Sequence, residues 1–232
     1  MLAMGGCVGT PPAPRPAREA SAPLPHPTTE TPAPEPQDPL TTVTSLVVRP
    51  EALELRDATG AVVASLDYLA SAGPAIETMT TVFGTPPVDE EFDGSSHFPP
   101  STAHRWDGFE LWENRFVDRW AEFADDPRSL YSPSTFVVFT APASAGIELT
   151  TVQGIEAGTP WTELEAVPGL QVNPSGCSGP YLDDIEREET WSDGTIHMKR
   201  FGVDFLDRSD WQSPITVTDV RAPTPIHEDG CA

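Results

Sequence analysis

Three thiols are the most reactive side chains in the chain, and their placement suggests different chemistries. Cys7 follows Leu2-Ala3-Met4-Gly5-Gly6, so a small-residue turn presents its sulfur for alkylation by a diacylglyceryl group. With Cys7 reserved for lipid, Cys177 and Cys231 remain as an even pair in a domain with no other thiol. In an oxidising compartment such a pair is expected to bridge. The bridge would close a loop of about 55 residues and stabilise the fold by roughly 4 kcal/mol in the chain-entropy picture. Zinc is the competing reading, but the Cys-x-x-Cys or Cys/His spacing that such sites use is missing.

The stretch ending at Cys7 resembles a lipobox, with Met4 where Leu is commoner. A secretory signal needs a basic segment and roughly 7–15 apolar residues, whereas six residues precede Cys7. The expectation is therefore that residues 1–7 are the remnant of a lipoprotein signal whose export segment starts further upstream. An accidental thiol in a disordered N-terminus is the plain alternative.

Other candidate chemistry is thinner. His97 and His104 lie seven apart with Pro99-Pro100 between them, so no helix sets them on one face, and His197 falls in a strand pattern. No metal site is expected from them. The acidic groups are Asp89-Glu90-Glu91 with Asp93, Asp125-Asp126, and Asp183-Asp184 with Glu186, Glu188, Glu189 and Asp193. Calcium would want oxygen ligands from several of these at once, but Asp193-Gly194 lacks the preceding Asp-x-Asp spacing of an EF-hand loop. A carboxylate pair could serve a glycosidase, but a solvated acidic face accounts for them with fewer assumptions. There is no Gly-x-Ser-x-Gly elbow, and no cofactor is implied.

The tryptophans are the better clue. Trp106, Trp112, Trp161, Trp191 and Trp211 are candidate binding aromatics, with Trp120 the sixth in the chain. Most are expected in a core, and a subset on an exposed surface for a protein or glycan, since Trp is enriched at binding hot spots.

Composition bounds the partners. Thirteen Lys and Arg against thirty-six Asp and Glu give a formal charge of −23, with Lys199 the single lysine. Such a surface repels phosphate backbones, so nucleic acid is not an expected partner. Residues 8–40 hold eleven prolines spaced by Ala, Thr, Glu and Ser. Proline fixes φ and has no N–H, so this stretch is read as a solvated, partly polyproline II tether. At about 3.1 Å per residue it could span up to ~100 Å.

The elements that must position any site follow as α+β, in two tandem units: residues 41–142 and 143–232. Echoes in the same order motivate the division. Leu53-Glu54-Leu55 matches Ile147-Glu148-Leu149, and Arg105 through Leu111 matches Lys199 through Leu206. Phe136 through Pro142 matches Ile215 through Pro223. Each unit is expected to lay a short helix on an antiparallel sheet. Pro74 and Pro160 suit first helical positions, Thr159 an N-cap, Glu77 and Glu163 first turns, and Gly84 and Gly169 the ends. Ile76, Met79, Thr80 and Phe83 make the stripe that a sheet must cover. Alternation predicts strands at Leu46–Arg49, Leu53–Arg56, Ala61–Leu66, Arg105–Leu111, Phe136–Thr140, Ile147–Thr151, Ile196–Leu206 and Ile215–Val220. Asp57-Ala58-Thr59-Gly60 is expected to turn a hairpin.

Gly158-Thr159-Pro160-Trp161-Thr162-Glu163-Leu164, and more loosely Gly73-Pro74-Ala75-Ile76-Glu77, resemble the helix start of the tandem modules in β-lactamase-inhibitor-like proteins. They are also similar to the small lipoproteins of outer-membrane assembly. The resemblance implies binding to other proteins rather than catalysis. The chain as a whole resembles uncharacterised lipid-anchored proteins of actinobacteria. Together these imply a lipid-anchored, extracytoplasmic module at the cell membrane that binds an extracellular protein or glycan without acting as an enzyme. The alternative is a secreted hydrolase using a carboxylate pair.

Overall fold

The structure is a computed structural model that describes residues 38–94, 99–115, 133–174, 176, 178–190 and 194–226. Cys7, Cys177, Cys231, Trp120 and Trp191 lie outside the described residues, as does almost all of the 8–40 stretch. All described residues belong to one compact unit, Gln37–Ala232.

The described chain is mixed α and β but rich in strand. A short 3-10 turn (Pro39–Thr42) leads into β1 (Val43–Val48), β2 (Ala52–Asp57) and β3 (Val62–Asp67). Helix α1 (Ala72–Phe83) is followed by β4 (Val88–Phe92), β5 (Ser101–Trp106), β6 (Phe109–Asn114) and β7 (Thr135–Phe139). Then come β8 (Ala143–Ser144), β9 (Ile147–Thr151), α2 (Trp161–Glu165), β10 (Tyr181–Thr190), β11 (Ile196–Leu206) and β12 (Asp219–Ile226). The strands form a five-stranded sheet ordered β3-β2-β1-β9-β8 and a seven-stranded sheet ordered β10-β11-β12-β7-β6-β5-β4. Every described pairing is antiparallel except β1 with β9. Among the described residues, no helix is long and apolar enough to cross a membrane.

Both sheets and both helices feed a single core. Leu46, Leu53 and Leu149 come from the smaller sheet, and Phe109, Val137, Phe139, Val203 and Phe205 from the larger. The helical stripe is buried as its spacing requires: Met79 and Phe83 join the core, with Ile76 packed against it. Phe83 meets Trp106 and Phe109 at ring-centroid distances of 5.5 and 5.4 Å.

Local chemistry explains where elements begin and end. The Asp57 carboxylate accepts from Thr59 N–H (2.8 Å), the Thr59 hydroxyl (2.6 Å) and Ala61 N–H (3.0 Å), which fixes the turn between β2 and β3. Helix α1 starts after Ser71, so Pro74 is its third residue and Glu77 lies beyond the first turn. Gly84 ends it as expected. In α2 the N-cap is Pro160 rather than Thr159. The Thr159 hydroxyl instead accepts from the Glu156 N–H at 3.2 Å, bracing the turn ahead of the helix.

Two strand expectations shift. Arg105–Leu111 is not one strand but the hairpin β5–β6, because Gly108 turns the chain at φ +80°, where a Cβ would also stand 2.7 Å from Ala141 Cβ. The strand expected at Ile215–Val220 runs instead through Asp219–Ile226, across Pro223 and Pro225. Its pairing with β7 ends at Ala222, so both prolines fall where that side of the strand has no ladder to interrupt. The acidic stretch from Asp183 forms a strand that was not expected, β10, and its Asp184, Glu186 and Glu188 are exposed as a solvated face requires.

The echoed segments do not land on equivalent elements. Residues 105–111 span a hairpin, whereas 199–206 lie within the single strand β11. Strands also pair across the expected 142/143 boundary, β1 with β9 and β7 with β12.

Candidate functional site

Side chains on a strand alternate between faces. In the seven-stranded sheet one set, including Phe109, Leu111, Val137, Phe139, Val220 and Ala222, enters the core. The other set therefore shares the opposite face. Register aligns a row there across six strands: Val88, Arg105, Glu110, Val138, Arg221 and Asp204. The next row is Glu90, Ala103, Trp112 and Phe136, and beyond it lie Phe92, Ser101 and Asn114.

Trp112 is the centre of this face. Phe136 stacks on it at 5.5 Å with planes 11° apart, and Phe92 packs at 4.9 Å with a 32° tilt. Phe92 reaches Trp112 over β5 because the intervening side chain is the small one of Ala103. The indole is further fixed by its Nε1–H, which donates to Glu110 Oε2 at 2.7 Å. The other carboxylate oxygen of Glu110 accepts from Arg105 Nε at 3.0 Å. Arg105 also pairs with Glu90 and lies 5.8 Å from both the Phe92 and Trp112 ring centroids, a cation–π arrangement.

Two further arginines border the aromatic row. Arg221 donates through Nε to Asp204 Oδ1 at 3.0 Å and pairs through Nη2 with Oδ2; the Thr224 hydroxyl adds a 2.7 Å bond to Oδ1. Arg208 Nη2 stands 2.7 Å from Asp219 Oδ1, and the Thr218 hydroxyl donates to Asp219 Oδ2 at 2.6 Å. Burial pushes the Asp219 carboxyl above its ordinary range, with the Thr218 bond and Arg208 opposing the shift.

Between these groups lies a cleft of about 470 Å³, within the size range of small-molecule sites. Phe92, Trp112, Phe136 and Val138 supply its apolar surface. Asp93, Gly94, Pro99, Ser101 and Asn114 lie toward β4, and Arg208 and Arg221 toward β11 and β12.

The groups near the cleft that could do chemistry lie apart or are already engaged. Ser101 lines the cleft, but His104 is on the opposite face of β5, where its Nδ1 lies 2.8 Å from Asp89 Oδ1. The raised carboxyl of Asp219 is engaged by Arg208 and Thr218 rather than open to a substrate. Among the described residues no cluster of His, Cys, Asp and Glu is placed to hold a metal ion.

The candidate tryptophans are dispersed. Trp112 lines the cleft. Trp106 is buried in the core and donates to Thr85 O at 2.8 Å. Trp161 packs against that core from α2, while Trp211 is 78 % exposed on the loop between β11 and β12. Sequence reasoning missed Phe92, Phe136, Arg208 and Arg221. A signal for two of the cleft residues was present in Phe136-Val137-Val138-Phe139, a run apolar on both faces in an antiparallel sheet that usually shows one face to water.

In comparisons with known proteins, no protein-family model, no curated protein and no solved structure matches the chain.

Proposed function

We propose that this protein is a non-enzymatic binding module, carried on the extracytoplasmic side of a cell membrane by a lipid on Cys7 and held away from it by the proline-rich tether, and that the cleft beside Trp112 receives its ligand. The observation that carries the binding reading is the cleft's apolar surface. Phe92, Trp112, Phe136 and Val138 lie on the sheet face opposite the core, where water-facing side chains are the norm. The partner is an extracellular protein or glycan component that fits this surface.

A duplicated origin belongs to the same reading. Each half runs from a helix into an antiparallel meander, α1 to β4-β5-β6-β7 and α2 to β10-β11-β12, and the last strands of the two halves, β7 and β12, are neighbours. Such a doubled helix-and-sheet order is what the likeness to inhibitor-like modules implies.

A photo-cross-linking residue placed at Asn114, in the cleft, tests the binding assignment against the same residue at Val62, which is exposed on β3. In living cells the Asn114 position should form a discrete adduct that the Val62 position does not. Adducts identical at both positions, or none at Asn114, would remove the cleft from consideration. For the anchor, a palmitate analogue should label the wild type and not Cys7→Ser.

A further inference from the structure

We propose that the group this cleft receives from its partner combines an apolar body with one anionic substituent, the anion docking against Arg208 and Arg221; this rests on the cleft being the binding surface. The two ion pairs at that end are oriented alike. Asp204 is 0 % exposed and Asp219 2 %, whereas the side chains of their partners Arg221 and Arg208 are 27 % and 56 % exposed. The carboxylates are thus behind and the guanidinium groups in front. Arg221 spends Nε and Nη2 on Asp204, which leaves the Nη1 donors on the side away from that carboxylate. A guanidinium held from behind by a buried carboxylate is pre-oriented to accept a second anion in front.

The other end of the cleft argues for direction. Asp93 lies toward β4, four strand spacings from β12, or about 19 Å at ~4.8 Å per spacing. Arg115 at that end is spent on the Phe92 and Ser101 carbonyls and on Glu91, so among the described residues the uncovered charge in the cleft there is the Asp93 carboxylate, and a ligand with one negative charge is oriented toward the arginine end.

The aromatic rings narrow the body of the ligand. Two phenyl rings and a guanidinium crowd Trp112: Phe92 comes from β4, Phe136 from β7, and Arg105 lies over the ring, so little indole face is left open. That suits an apolar organic acid better than a neutral sugar ring, which would stack on an open indole face.

The test uses the full chain and two probes with the same aromatic body, 8-anilinonaphthalene-1-sulfonate and the uncharged N-phenyl-1-naphthylamine, followed by probe fluorescence. The anionic probe should bind one per chain and about tenfold or more tighter than the neutral one, the gain expected of a charge-assisted contact. Arg208→Gln should collapse that ratio, Arg208→Lys should keep most of it, and Phe136→Ala should weaken both probes. Equal affinity for the two probes in the wild type, or an undiminished ratio in Arg208→Gln, overturns the anion selectivity while leaving the cleft as a binding surface. Failure of both probes to bind the wild type, or undiminished binding of both in Phe136→Ala, overturns the cleft reading itself.

Discussion

Arg187 on β10 grips Asp67 at the end of β3 with both terminal nitrogens, Nη1 to Oδ1 at 3.0 Å and Nη2 to Oδ2 at 3.3 Å. One residue is in the seven-stranded sheet and the other in the five-stranded sheet, so the pair ties the two together outside the hydrophobic core. Fork-to-fork geometry and partial burial place it above the ordinary surface ion pair, while the half-exposed Asp67 limits its worth. Arg187→Ala should lower unfolding free energy in urea by about 1 kcal/mol. Arg187→Lys should recover less than half of that, because an ammonium cannot make the two-point contact.

A more severe effect is expected at Gly179, which precedes β10. A Cβ there would stand 1.8 Å from Phe205 O, a backbone atom in a core strand that cannot swing aside. The same neighbourhood carries the Phe205 N–H to Pro180 O bond at 3.1 Å. Gly179→Ala should destabilise by about 3 kcal/mol or more, at the upper end of what overpacking costs. Thermal denaturation against Gly60→Ala, where a Cβ meets open space but φ is +81°, separates crowding from backbone strain.

The Arg221–Asp204 pair should show the asymmetry of buried charges. Among the described residues, Arg221→Ala leaves a fully buried carboxylate with the Thr224 hydroxyl as its one side-chain partner, and should cost about 3–5 kcal/mol. Replacing both partners with apolar side chains, Arg221→Met with Asp204→Leu, should return most of that loss in a denaturation experiment.

Acid should destabilise the protein. Hydrogen bonds from Arg187 hold Asp67 below the ordinary aspartate value, and those from Arg200 do the same for Asp184. The Ser209 hydroxyl, followed by the Ile215 and Thr216 N–H groups, lowers Asp207 further, and the Thr59 hydroxyl lowers Asp57. With folded values depressed, the unfolded chain binds more protons in this range. The stabilisation is therefore present above an unfolded value of about 3.9 and is lost as pH falls toward the folded values. Asp219, raised by burial, acts in the opposite sense but is one group against four. Urea midpoints should hold steady from about pH 8 to 5 and then fall. Asp207→Asn should flatten the fall.

Where one face is apolar and the other polar, the strands were legible in the sequence. Ile147–Thr151 and Ile196–Leu206 are strands with those same bounds. Strand β10 was not legible, since its buried Tyr181 and Leu182 sit together at one end, and beyond them the half-buried Ile185 stands among Asp184, Glu186 and Glu188 with Arg187 turned to Asp67. The hairpin at Gly108 read as one strand because Trp106 and Phe109 both point inward and the turn between them is two residues long. Of the cleft, Trp112 was a candidate by type alone. Phe92, Arg208 and Arg221 join it only through a register linking β4, β6, β7, β12 and β11, which no local pattern encodes.

The join between β7 and β12 also sets a timetable. Phe139 must wait for Val220 to be made before the wider sheet can close, and β1 must wait for β9. Contacts so distant along the chain come late and slowly. Strand β12 is thus a keystone delivered last, and a half-made chain has an open seam in place of a finished sheet. For a protein proposed to work on the far side of a membrane, that delay leaves the wider sheet open until β12 has been made.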